Sequence, residues 1–432
     1  MQDTTAGAPM DVDQSGPQAS EQQQPTFHIG TRQSILARVQ TDEVVKALKH
    51  AWPDYKFEVH AMSTTGDNNQ KTALHKFNEK ALWTQELEVL LQSQELDLIV
   101  HSLKDMPTQL PVDLDLGCVT KRSDPRDALV IKPTLREKVK GLVDLPEGAV
   151  VGTSSLRRIA QLKRKFPHLK YADVRGNIGT RLRKLDDPDS EYSAIVLAAA
   201  GLQRLGMMDR VSVFMSKDTS GMLHAVGQGA LGIEIRKEDT RIKDLLSRIG
   251  CERTTRQTLA ERSLMRTLEG GCSVPIGVET EWVRKSTFMG EGSGIGVKPA
   301  EDYHALSGIA TSAPENSTAP PPSQNNPPGP LGTQAVPTSQ TPNVTTSPAQ
   351  PDVTPDDGEN EQFSDELIMN AIVSSLDGTE CAEVEARKMI SSRQEADQFG
   401  RDVAKMLVER GAEKILKEIE LNRGIIHEQG EA

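Results

Sequence analysis

Ile29-Gly30-Thr31-Arg32-Gln33-Ser34 and, far downstream, Val151-Gly152-Thr153-Ser154-Ser155-Leu156-Arg157-Arg158 spell the same turn twice. In each an aliphatic residue is followed by Gly-Thr, then by serine, with arginine close by. Each copy also sits between a short β-like run and a helical pattern: residues 27–29 before 34–50, and 150–152 before 155–166. Glycine permits a tight turn, and serine or threonine caps the helix that follows. The free N–H groups and the helix dipole there favour an anion. Arginine adds bidentate recognition of a carboxylate or phosphate. Between and around the two copies the alternation continues. Residues 96–100 form a buried-strand run, 171–174 precede a helix at 178–185, and 194–198 precede another around Leu202. Such βα alternation implies parallel sheets covered by helices, with ligands bound beyond the carboxyl ends of the strands.

Two further junctions carry cations. Val174-Arg175-Gly176-Asn177 is followed by Arg181 and Arg183, and Arg204 lies one turn beyond Ala199-Ala200-Gly201. Between Val151 and Lys184 ten Lys/Arg stand against one acid, Asp173, a local balance of about +9 inside a chain of −12. Lys163, Arg164 and Lys165 read as a solvated face. Arg32, Arg157, Arg158, Arg175 and Arg181, at strand ends, point to a small polyanion, polycarboxylate or polyphosphate.

Length and composition bound the alternatives. At about 150 residues per domain, 432 residues suggest roughly three domains. With 50 Lys/Arg against 62 Asp/Glu, a globally basic nucleic-acid binder is excluded, and 3% aromatics leave little for base stacking. Residues 1–25 hold no Lys or Arg and much Gln, Pro and Ser, unlike a presequence or a signal peptide. The longest apolar run, 195–202, is too short for a bilayer. The expectation is a cytoplasmic protein with no membrane or nucleic-acid partner. Twelve of the 25 prolines fall between Pro314 and Pro355, so 286–362 reads as a disordered insertion inside the last domain. On its two sides, 273–282 and 367–376 read as strands. Residues 393–410 read as an amphipathic helix with Phe399, Val403 and Leu407 on one face. Four cysteines without a CxxC pair or His/Cys cluster suggest neither disulfides nor a metal site.

Three motifs remain. In Ile99-Val100-His101-Ser102-Leu103-Lys104-Asp105-Met106-Pro107 a buried run ends at a Lys-Asp pair, and Pro107 stops any helix nearby. Alone, such a pair is an ordinary surface ion pair. Held among arginines, the acid is suited to stabilise a cation or move protons. Gly227-Gln228-Gly229-Ala230-Leu231-Gly232 matches GxGxxG, yet Ile233-Glu234-Ile235-Arg236 alternates like a strand, so a dinucleotide fingerprint is rejected. Leu268-Glu269-Gly270-Gly271-Cys272-Ser273 places Cys272 like a reactive thiol, while Cys118, Cys251 and Cys381 read as inert.

Taken together these segments closely resemble the hydroxymethylbilane synthase (porphobilinogen deaminase) family. The matching pieces are IGTRQSILARVQT, MSTTGD, DLIVHSLKDMPT, KRSDPRDAL, VVGTSSLRRIAQL, VRGNIGTRLRKL, AAAGLQRLG, HAVGQGALGIEIR and LEGGCSVPIGV, spread over residues from about 27 to 283, with a resumption from about 365 to 423. The resemblance implies an α/β protein: two periplasmic-binding-protein-like α/β domains plus a smaller α+β C-terminal domain. Domain 1 would comprise 26–122 and 225–245, and domain 2 would comprise 123–224. Domain 3 would comprise 246–285 and 363–432, interrupted by the 286–362 insertion. It implies a monomeric transferase of haem biosynthesis that joins four porphobilinogen molecules head to tail, releases ammonia, and hydrolyses the product to hydroxymethylbilane.

The implied cofactor is a dipyrromethane held by a thioether on Cys272. Arg32, Arg157, Arg158, Arg175, Arg181 and Arg204 would neutralise its carboxylates and those of the substrate. Ser34, Ser102, Ser154, Ser155, Asn177, Gln228 and Gly229 would assist, and Lys104 would bind one carboxylate. Loss of ammonia gives an electrophilic azafulvene, and Asp105 would stabilise the positive charge on ring nitrogens and relay protons. Residues 62–78 look like the family's mobile lid. A non-catalytic anion sensor of the periplasmic-binding type is the competing expectation; it needs neither Asp105 nor Cys272.

Overall fold

The computed structural model describes residues 24–64, 84–268, 274–285 and 362–420. Cys272 and its loop, most of the expected lid, nearly all of the N-terminal extension and the proline-rich insertion lie outside the described residues. Among the described residues, the strands form three sheets.

The chain begins with β1 (Thr26–Arg32), α1 (Ile35–Ala51), β2 (Lys56–Met62), α2 (Gln85–Gln92), β3 (Leu98–Ser102) and β4 (Leu114–Val119). It then crosses to a second sheet: β5 (Asp127–Ile131), β6 (Val150–Gly152), α3 (Leu156–Lys165), β7 (Lys170–Ala172), α4 (Ile178–Asp186), β8 (Tyr192–Ala198), α5 (Ala199–Arg204), β9 (Val213–Met215) and α6 (Lys217–Ser220). It returns through β10 (Leu231–Arg236) to the first sheet. The strand orders are β2-β1-β3-β10-β4 and β7-β6-β8-β5-β9. These are one topology used twice, as the resemblance implies for its two α/β domains, and they account for the duplicated Gly-Thr turn. In each sheet one strand runs against its neighbours, β10 in the first and β5 in the second. The βα alternation predicts only parallel strands. The reversed ones are those the chain reaches on crossing from one sheet to the other, where no helix intervenes to carry it back to the starting edge.

Local chemistry explains the elements. Ser34, Ser155 and Asn177 each accept a backbone N–H from the first turn of the helix they precede. On α1 the residues Val44, Ala47 and Leu48 face Phe27, Ile29 and Phe57 of the sheet. The strand β5 is buried throughout, and Asp127 is its first residue. Gly229 has φ +87°, and a Cβ there would stand 2.5 Å from the Ser123 carbonyl oxygen, so the return crossing can pass the outward one only without a side chain.

The remaining elements are α7 (Thr240–Leu246), α8 (Glu252–Thr267), β11 (Ile276–Arg284), β12 (Phe363–Ser374), β13 (Cys381–Met389) and α9 (Arg393–Glu409). The last three strands form an antiparallel sheet whose core includes Val278, Trp282, Leu367, Met369, Phe399, Val403 and Leu407. Phe399, Val403 and Leu407 are therefore buried as their spacing requires. Gly400 lets α9 cross α8 closely: a Cβ there would lie 2.1 Å from the Ala260 carbonyl oxygen. The two strands expected around the insertion are adjacent partners, and Lys285 N donates to Gln362 O at 2.8 Å. The residues on either side of the undescribed segment are thus hydrogen-bonded neighbours at one end of the sheet. No helix among the described residues is long and apolar enough to cross a membrane.

Candidate functional site

The carboxyl ends of β1 and β3 open onto a small cleft lined by Arg32, Gln40, His101, Ser102 and Asp105. Arg32 leaves β1 just before the Ser34 cap. Ser102 ends β3 and is hydrogen-bonded to the Gln40 amide, with Nε2 to Oγ at 2.8 Å. Lys104 and Asp105 follow in a single 3₁₀ turn. Gln40 escapes sequence reasoning, although a glutamine on the apolar stripe of α1, one turn before Val44, is the available signal.

From the second lobe Arg181 reaches the field of the same acid, and Arg157 and Arg158 reach that of its neighbour Lys104. Lys104 interacts electrostatically with Asp105, Arg158, Asp127 and Arg157. Arg181 does so with Arg158, Asp173, Arg175 and Asp105. Burial pushes Lys104 below its usual range, and the two arginines add to this. Burial, with Arg158 next, brings Arg181 down to about 10. Among the described residues, Lys104, Arg157, Arg158, Arg175 and Arg181 are placed together with Asp105, Asp127 and Asp173. The cleft is therefore short of negative charge, as a site for polyanions should be.

Several of these side chains already have partners. Asp127, buried at the head of β5, pairs with Arg157 Nη2 at 2.8 Å and accepts from Arg158 Nη2 at 2.7 Å. Burial opposes its ionisation, yet the two guanidiniums hold its carboxyl far below the usual carboxylate range. Arg157 also donates to Leu223 O, and Arg158 to Val196 O. Gln228 Nε2 donates to Asp127 Oδ1 at 3.0 Å, and its buried Oε1 has no hydrogen-bond partner. Ser154 donates to Val174 O, tying one turn to the next. Arg175 pairs with Asp173 at 3.3 Å.

Arg204 stands apart from this group. It binds Glu43 of α1 at 2.9 Å and donates to Ser123 Oγ and Gly229 O, so it fastens the first lobe to both crossings. A second fastening was invisible in the sequence. Arg122 donates both terminal nitrogens to Glu261 of α8, at 2.6 and 3.1 Å, and its Nε to Gln228 O. Glu261 also accepts from Gly227 N at 2.8 Å. From the next turn-face of α8, Arg262 donates to Met106 O and Pro107 O and so anchors the segment that carries Asp105.

Behind the cleft, His101 Nε2 lies 2.8 Å from Glu234 Oε2, both buried. Glu88 sits beside them, and burial raises its carboxyl above the usual value of 4.5, with Glu234 adding to the effect. A carboxyl raised on folding contributes its share of stability below its unfolded value and loses it as pH rises through the folded one. Glu88→Gln is accordingly expected to raise the unfolding midpoint by a few degrees at pH 7 and to have almost no effect near pH 4. Thermal melts at the two pH values check this, and a larger gain in acid would contradict it.

Cys118 and Cys251 are buried, and burial pushes the Cys118 thiol up to about 12, which suits an inert packing role. Cys272 lies in the undescribed stretch between α8 and β11.

Comparison with known proteins agrees with this arrangement. Residues 27–244 match the family model "Porphobilinogen deaminase, dipyromethane cofactor binding domain", and 255–288 match its C-terminal domain. A porphobilinogen deaminase of Yarrowia lipolytica is 42% identical over 92% of this chain and 94% of that protein. One from Saccharomyces cerevisiae is 55% identical over 60% of this chain and 79% of that protein. Among solved structures, the BenM effector-binding domain with benzoate aligns over 55% of this chain and 92% of its own, at 15% identity and TM-score 0.31. The periplasmic aliphatic sulphonate binding protein SsuA from Escherichia coli aligns over 56% and 70%, at 12% and 0.28. With two lobes of one topology, a family model over residues 27–244 and a relative 42% identical over 92% of this chain, the chain belongs to the porphobilinogen deaminase family.

Proposed function

We propose that the chain is a hydroxymethylbilane synthase: it joins four porphobilinogen molecules head to tail with release of ammonia, then frees the linear tetrapyrrole by hydrolysis. One observation carries this reading. Asp105 stands beside Lys104 of the first lobe and within the field of Arg181 of the second, in a group of described side chains in which cations outnumber acids.

The donor set fits a dipyrromethane. Its acidic side chains would meet Arg32, Lys104, Arg175 and Arg181, and the unpartnered Gln228 Oε1 offers an acceptor for a ring N–H. When bound through Cys272, the group supplies the terminal pyrrole carbon to which substrate is added.

The chain's own residues do the rest. Asp105 stabilises positive charge on a pyrrole nitrogen and moves its proton, in a cleft whose low dielectric strengthens the interaction. Arg157 and Arg158, fixed on Asp127, present a rigid cationic wall rather than mobile clamps. Ser34, Ser155 and Asn177 hold helix starts toward the anions, with Ser102 and Ser154 bracing the strand ends. Gly229 lets the crossing strands meet. Arg204 takes the role of an interlobe fastening in this reading, and Arg262 that of a positioning residue for Asp105. Domain 1 is assigned to 26–122 and 225–245, domain 2 to 123–224, and domain 3 to 246–285 and 363–432. The enzyme is taken to act as a monomer in the cytoplasm, where buried free thiols such as Cys118 stay reduced.

Intact-protein mass spectrometry of the full chain tests the proposal. Wild type is expected to exceed its sequence mass by one dipyrromethane, and Cys272→Ser to fall back to the sequence mass with loss of turnover. An active chain whose Cys272 is unmodified would overturn it.

A further inference from the structure

Away from the cleft, at the edge of the first sheet, parallel pairing sets His28 of β1 directly opposite Glu58 of β2, with Gly30 opposite His60. Glu58 and His60 are two residues apart and so project from one face of the strand, the face that His28 shares. His28 Nδ1 lies 2.9 Å from His60 Nε2 and 3.7 Å from Glu58 Oε2, and the three ligand atoms all lie within 4.8 Å of one another. The two imidazole rings are tilted by 52° at a centroid distance of 5.1 Å, so their nitrogens converge while the rings splay.

We propose that His28, Glu58 and His60 form a surface site for a divalent transition-metal ion of the zinc class. Four ligands at about 2.0–2.1 Å around a tetrahedral ion stand roughly 3.3 Å apart. The two measured separations bracket that spacing, and the third pair of ligand atoms lies within 4.8 Å. Two imidazoles and a carboxylate are the donor set that zinc, cobalt(II) and nickel(II) favour.

Glu58 is prepared for the role. Lys56 bonds its Oε1 at 2.7 Å, which leaves Oε2 turned toward His28. The site is half open to solvent, because β2 is an edge strand and His60 is exposed. Water can therefore take the fourth position. His28 is thirty residues from Glu58, so no His/Cys spacing announces the site; the strand register brings His28 beside the Glu58/His60 pair. An ion there would join the edge strand to its neighbour and stabilise the folded chain by mass action.

Cobalt(II) titration of the full chain tests the site. The expected result is one equivalent bound with the visible band of a tetrahedral nitrogen/oxygen site and no sulfur charge-transfer band. His28→Ala and His60→Ala should each weaken binding by more than the about 10–100-fold typical of losing an outer-shell partner. His168→Ala, an exposed histidine elsewhere, should leave it unchanged, and all three variants should turn over substrate normally, showing that they fold. Absence of the band, a sulfur charge-transfer band, or binding indifferent to His28 and His60 would each overturn the proposal.

Discussion

Asp105→Ala is expected to lower turnover by at least about a thousandfold while the full chain keeps its added dipyrromethane mass. The dissociation of the two effects follows from position. Asp105 is in the turn after β3, anchored by Arg262 through Met106 and Pro107, and it touches the field of Lys104 and Arg181 rather than any strand of the core. Its side chain is only half-buried, so its loss opens no sizeable cavity. What disappears is a negative charge in a cleft otherwise crowded with positive ones. Any cation that develops on a pyrrole nitrogen then loses the carboxylate that would face it. Asp105→Asn separates charge from shape: it keeps the outline and removes the carboxylate, and it should be nearly as damaged as alanine. Ammonia release in a single turnover gives the rate, and intact mass gives the cofactor. Normal turnover in Asp105→Ala would remove this residue from the chemistry. Near-normal turnover in the asparagine variant would make it a shape-holding group instead.

The lobes were legible in the sequence because their signals are local. Ser34, Ser155 and Asn177 announce helix starts, and the alternation in 233–236 announces a strand where GxGxxG alone would have suggested a nucleotide loop. What was illegible is tertiary pairing of charge. Arg157 and Arg158 look like two free clamps, yet both are bound to Asp127, and Arg204 proves to join Glu43, Ser123 and Gly229. The available clue was an acid in an apolar strand: Asp127 heads Ala128-Leu129-Val130-Ile131, and Glu234 interrupts Ile233 and Ile235. An unpaired carboxylate is too costly in such a place, so a distant cation had to exist. Which cation it is depends on the crossing of two lobes, and no local pattern encodes that. On α8 the same holds for Glu261 and for Arg253, Arg256 and Arg262, all buried in a helix whose composition suggests a solvated surface.

Asp127→Ala is the other substitution with a large expected effect, and it acts on stability before it acts on rate. The carboxylate is fully buried and answers two guanidiniums and the Gln228 amide. Without it, Arg157 and Arg158 remain buried with uncompensated charge, close to Lys104 and Arg181. Breaking a buried pair from one side costs about 3–5 kcal/mol, so the urea midpoint should fall sharply with little change in slope. The pH dependence fixes the cause. Because folding depresses the Asp127 pKa, its contribution is complete above its ordinary value near 3.8 and is lost as pH falls toward the much lower folded value. The gap between wild type and variant should therefore be widest near neutrality and shrink below about pH 4. Asp127→Asn, which keeps hydrogen-bonding capacity, gives a folded fallback with a smaller deficit of the same pH dependence. Midpoints that agree within about 0.5 kcal/mol, or a gap that persists undiminished in acid, would show that the two arginines are held by their carbonyl partners and not by this carboxylate.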